Sequence, residues 1–166
     1  VEETLKDRIV FSTGNGFVSR AIRWLTRSKA SHVSIVYYDV DFERDMLMEA
    51  TGDGFHMVSF EKFKSKNKIV GVYEPKYSLE KGLKVAAEKL GEKYDFGGLF
   101  GMLWVLLGRW LRRKWYNPLQ SNQALFCSEA VADIFADSAY PSFELIPSRT
   151  DPQDLIEFLE EEKRAA

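Results

Sequence analysis

The sequence predicts an α+β fold, and three observations carry that expectation. The first half of the chain breaks into short β-branched and aromatic runs separated by turn residues. The second half places apolar residues at helical spacing, with capping residues near the ends of the runs. The links between the early strands are too short for helical crossovers, so their pairing should be antiparallel. Strands first and helices later is the α+β order.

The elements follow from local chemistry. Residues 8–13 alternate as a strand and stop at Gly14-Asn15-Gly16, a turn signal. Residues 17–27 read as a helix with Phe17, Ala21, Trp24 and Leu25 on one face and Arg20, Arg23 and Arg27 outside it. Residues 32–38 form the next strand, and residues 39–45 a polar turn. Strands at 46–51 and 55–60 flank the tight turn Gly52-Asp53-Gly54, and a last strand at 68–73 is stopped by Pro75. Ser78 reads as the N-cap of a helix whose apolar stripe is Leu79, Leu83, Ala86 and Leu90. Gly91 stands where a C′ residue belongs. A further helix over 128–139 carries Ala130, Val131, Ile134 and Phe135. Asp151-Pro152 opens a final helix as cap and first helical residue, running to about Glu162.

The chain has 166 residues, 45% apolar and 29% charged, which is the composition of a globular chain. No repeat and no Pro/Gly/Ser-rich linker divides it, so residues 1–166 read as a single domain. The net charge of −2 gives no bulk field for nucleic acid, and no nucleic-acid partner is expected. One cysteine excludes an intramolecular disulfide. The N-terminal segment lacks a basic region followed by an apolar run, so a cytoplasmic location is expected.

Three residues carry candidate chemistry. Cys127 leads into an amphipathic helix, and a helix N-terminus lowers a thiol pKa toward the reactive thiolate. Its own N–H would face a developing oxyanion. The same residue also reads as a small buried hydrophobe. His32 opens a strand and is one of two histidines; it serves as a base or as a hydrogen-bonded structural residue. The other, His56, reads as a surface strand residue. Glu49 is a single carboxylate in the apolar run Leu47-Met48-Glu49-Ala50, where burial requires a partner. An imidazole on the neighbouring strand would supply it, and the carboxylate would then orient that imidazole. The alternative leaves Glu49 facing solvent at a sheet edge.

With these residues in hand, the chain resembles a known family. Ser31-His32-Val33-Ser34-Ile35-Val36, Met48-Glu49-Ala50, Leu90-Gly91-Glu92-Lys93-Tyr94-Asp95-Phe96-Gly97-Gly98 and Phe126-Cys127-Ser128-Glu129-Ala130-Val131 resemble segments of the NlpC/P60 superfamily. The order His, Glu, Cys is similar to its circularly permuted branch, the YiiX/YebB-like cysteine hydrolases. The resemblance runs from about Phe11 to about Leu155. It implies a papain-like core, with a Cys-bearing helix packed on an antiparallel sheet that carries the His. It implies Cys127 as nucleophile, His32 as base, Glu49 as the residue orienting the base, and Tyr94 as a helper of the oxyanion. The family tyrosine often stands close to the cysteine, whereas here residues 99–123 intervene. The implied chemistry is acyl transfer through a thioester, with no cofactor and no metal, on a peptide or lipid-like amide or ester. The rival expectations are an acyltransferase that uses the same thioester and a non-catalytic binding module that keeps the fold.

The run from Leu99 to Lys114 is strongly apolar and ends in Arg109, Arg112, Arg113 and Lys114 among Trp104, Trp110 and Trp115. It is too short to span a bilayer, which needs about 20 apolar residues. It reads as a core helix or lid, or as an interfacial helix touching a membrane surface.

Overall fold

A computed structural model of the chain describes residues 7–51, 54–91 and 127–165. Five strands, β1 (Arg8–Thr13), β2 (His32–Asp39), β3 (Arg44–Thr51), β4 (Gly54–Ser59) and β5 (Lys68–Tyr73), form one sheet in the order β4-β3-β2-β1-β5. Every pairing is antiparallel, as the short links predict. The helices are α1 (Phe17–Thr26), α2 (Phe60–Lys66), α3 (Glu80–Glu88), α4 (Cys127–Asp137) and α5 (Pro152–Arg164), with a 3-10 turn at Pro147–Arg149. The mixed α+β class is therefore as predicted.

The sheet is covered on both faces. Ile9, Phe11, Val33, Ile35, Met48, Ala50 and Phe55 meet Leu79 and Ala86 beside α4 and α5, which contribute Val131, Phe135, Leu155 and Leu159. Val10, Val36 and Leu47 meet Phe60 and Phe63 of α2 on the other face. With both faces covered, β1 and β2 are buried at consecutive positions rather than at alternate ones, a departure from the alternation expected of residues 8–13. The edge strand β5 instead alternates between exposed and half-buried positions.

Helix α2 departs from the sequence expectation, which ended a strand at Phe60. Ser59 accepts the N–H of Lys62 through its side chain, Glu61 lies in the first turn, and Phe60 and Phe63 turn inward one helical step apart. Only two apolar residues mark this helix, too few for a periodic signal. By crossing one face of the sheet, α2 carries β5 to the far side of β1, so β4 and β5 are not neighbours.

The remaining elements keep close to expectation. Trp24 and Arg23 are the exceptions on α1: Trp24 is exposed rather than on a buried face, and Arg23, expected outside that face, is half-buried; the side chains of Phe17 and Leu25 lie outside those described. Helix α3 starts one residue later than expected, with Leu79 at the cap. Ser78 Oγ still accepts the Glu80 N–H, at 3.2 Å. Gly91 lies beyond the helix in left-handed backbone (φ 89°) and donates its N–H to Phe55 O at 2.8 Å. A Cβ on Gly82 would collide with the carbonyl oxygen of Ile134, so glycine lets α3 lie directly on α4. Asp151 caps α5 by accepting the N–H groups of Gln153 and Asp154, and Asp154 returns a bond to the Asp151 N–H.

The membrane-surface contact expected of residues 99–114 is corrected. Among the described residues no helix is long and apolar enough to cross a membrane. The segment itself lies outside the described residues, and no membrane contact is assigned to it.

Candidate active site

Two strands and one helix end converge on the site. His32 is the first residue of β2 and Glu49 lies in β3. The β2–β3 register begins at Ile35↔Met48, which sets His32 and Glu49 diagonally on one face of the sheet. Glu49 Oε2 lies 2.7 Å from His32 Nε2, a charge-assisted distance. Glu49 is buried, so the sheet-edge alternative does not hold. The cost of burying this carboxylate is offset by the imidazole beside it.

Cys127 is the first residue of α4, as the sequence predicts. The buried Ser128 next to it donates its hydroxyl to Thr150 O at 2.7 Å, which fixes the first helical turn. His32 and Val33 stand beyond the last β2–β3 pair, and the helix end meets the sheet there. The Cys127 side chain hydrogen-bonds the His32 ring and the backbone N–H groups of Val33 and Ser128. Since Nε2 of His32 is engaged by Glu49, Nδ1 is the ring nitrogen left for the thiol. The ring packs 6.2 Å from that of Phe63, which places α2 behind it.

The electrostatics follow from these contacts. Burial opposes a charge on His32, but the hydrogen bonds and charges of Cys127 and Glu49 outweigh it, and its pKa is pushed up to about 10. Burial likewise raises the Cys127 thiol, but the His32 imidazolium and the Val33 and Ser128 N–H groups outweigh it, so the net direction is down. Both shifts favour a thiolate–imidazolium pair.

Other residues brace this arrangement. Ser12 stands opposite His32 on β1; its Oγ is buried and has no hydrogen-bond partner among the described residues. Ser31, next to His32, lies 2.6 Å from Ser19 Oγ, and Ser19 also bonds both the N–H and the carbonyl of Gly14. The Ser31 and Ser19 hydroxyls tie the start of β2 to the β1–α1 turn.

Of the four residues expected at the site, Cys127, His32 and Glu49 come together. Tyr94 lies outside the described residues. His56 is brought to the site although its sequence context marks only a surface strand residue: its Nε2 lies 3.4 Å from Glu49 Oε1. Among the described residues no group of three or more His, Cys, Asp or Glu is arranged to hold a metal ion. No protein-family model matches the chain, and a search of curated proteins finds no match.

Proposed function

We propose that the chain is a cysteine hydrolase of amide or ester bonds, working through a thioester on Cys127. The observation that carries this reading is the connected series Cys127–His32–Glu49, with the thiol drawn toward thiolate and the carboxylate 2.7 Å behind the imidazole. A buried structural cysteine needs neither a base nor a carboxylate behind it. The antiparallel sheet carrying the histidine, the helix beginning at the cysteine, and the chain order His, Glu, Cys also support placing the protein with the permuted NlpC/P60 cysteine hydrolases and their papain-like core.

The mechanism follows from the residue roles. His32 holds the thiol proton as imidazolium while the Cys127 sulfur attacks the substrate carbonyl carbon. The carbonyl electron pair moves to oxygen, and the oxyanion is met by the Cys127 N–H and, on the resemblance, by Tyr94. Collapse breaks the bond to the leaving amine or alcohol, which takes the proton from His32. Water then attacks the thioester, giving its proton to His32 and releasing the acid and the thiol. Glu49 keeps the ring oriented and its charge compensated throughout. An acyltransferase would differ only in the acceptor that replaces water.

The test is intact-mass spectrometry after incubation with a panel of peptide and lipid-like acyl donors. A donor acyl group should add to wild-type chain at Cys127, decay in water, and be absent from Cys127→Ala and His32→Ala. Transfer to an added amine or alcohol in preference to water would favour the acyltransferase. Absence of any adduct across the panel, with Cys127 no more reactive than a free thiol, would leave a binding module as the better reading.

A further inference from the structure

His56 stands directly opposite Glu49 in the β3–β4 pairing, the closest cross-strand position the sheet offers. Its Nδ1 lies 3.0 Å from Gly54 O. A carbonyl oxygen only accepts, so Nδ1 carries the hydrogen of that bond. Its Nε2 lies 3.4 Å from Glu49 Oε1, within ion-pair range. The ring thus lies with Nδ1 on the backbone of its own strand and Nε2 facing the carboxylate. Glu49 in turn has each oxygen assigned, Oε2 to His32 and Oε1 to His56.

We infer that His56 is a positioning residue for the active site, clamping the second oxygen of Glu49 so that the first stays on His32. The inference rests on the cysteine-hydrolase reading of the site. A glutamate side chain has three rotatable bonds, and one hydrogen bond to His32 leaves the carboxylate free to swing about it. The second contact comes from a strand in fixed register, and His56 is itself held by the backbone of its own strand. The carboxylate plane is therefore set from the β4 side, and His56 acts on the thiolate only through Glu49 and His32. Partners of this kind, one step removed from the reacting atoms, orient a charged ligand and tune its basicity.

The chain has one cysteine, so the rate of iodoacetamide addition followed against pH reports the Cys127 thiolate without ambiguity. His56→Phe keeps ring volume and removes both ring nitrogens. It should lower the rate on the acidic limb about tenfold, the effect of a pKa rise of about one. His56→Gln, which can still donate to Glu49, should recover most of that loss. In a Glu49→Gln background His56→Phe should add nothing further. An unchanged profile for His56→Phe, the same loss in the Glu49→Gln background, or no recovery in His56→Gln would each overturn the inference. His32→Ala in the same assay separates the two levels: if it too leaves the profile unchanged, the reading of the site fails; if it alone shifts the profile, only the role of His56 fails.

Discussion

Replacing Glu49 by Leu is expected to destabilise the folded chain by about 2–3 kcal/mol, the worth of a hydrogen bond to a charged group lost inside the protein. Leucine matches the volume and leaves little cavity, so the loss isolates the carboxylate. Full breakage of a buried ion pair costs more, about 3–5 kcal/mol, but here His32 can shed its proton and limit the penalty. Both partners are mostly covered, with 20% of the His32 side chain and 10% of the Glu49 side chain exposed, so solvent screening is modest. The sign with pH follows from the shift. The pKa of His32 in the folded chain stands near 10, above its ordinary 6.5. The stability it supplies is therefore fully present below pH 6.5 and is lost as pH rises through about 10. Urea unfolding should accordingly show the largest gap between wild type and Glu49→Leu near pH 6 and a smaller gap near pH 10. Equal midpoints at pH 6 would mean that the carboxylate holds nothing.

His32→Ala is expected to slow iodoacetamide addition to Cys127 at pH 6 by on the order of 10–100-fold. An ordinary thiol, with pKa ~8.5, is only about 0.3% thiolate at that pH. In the wild type the imidazolium draws Cys127 toward its ionised form. The gain in thiolate overstates the gain in rate, because a thiolate of lower pKa is a weaker nucleophile. That offset is why the expected factor stays below the bare ratio of thiolate fractions. Rate measurements on variants whose circular dichroism matches wild type would check it.

Much of this arrangement is legible in the amino-acid sequence, and particular residues show why. Glu49 betrays itself as a lone carboxylate within Leu47-Met48-Glu49-Ala50, since burial there demands a cation or donor close by. Cys127 and the Asp151-Pro152 start of α5 are read from helix-end chemistry, which depends on a few local residues. The sheet order is a different matter. That β5 lies against β1 depends on α2 crossing the sheet, and the two phenylalanines of α2 are compatible with a strand end.

His56 escapes a residue-by-residue reading for a physical reason. A half-exposed histidine in a strand has no local signature of function. A signal is nonetheless present in the run Gly52-Asp53-Gly54 of the sequence. Pairing Thr51 with Gly54 across a two-residue link and counting outward sets Glu49 opposite His56. Strand register, rather than residue type, identifies it. Tyr94 and residues 99–114 lie outside the described residues, and the expected role of Tyr94 rests on resemblance alone.

The central claim is that His32 holds Cys127 as a thiolate at the start of α4. The most direct measurement is the ultraviolet absorbance of the thiolate titrated with pH, in wild type and in His32→Ala. With one cysteine in the chain, the signal belongs to Cys127 alone. Wild type should ionise below the ordinary thiol range, and His32→Ala should return the transition toward it. A wild-type transition at or above that range, unmoved by His32→Ala, would contradict the account.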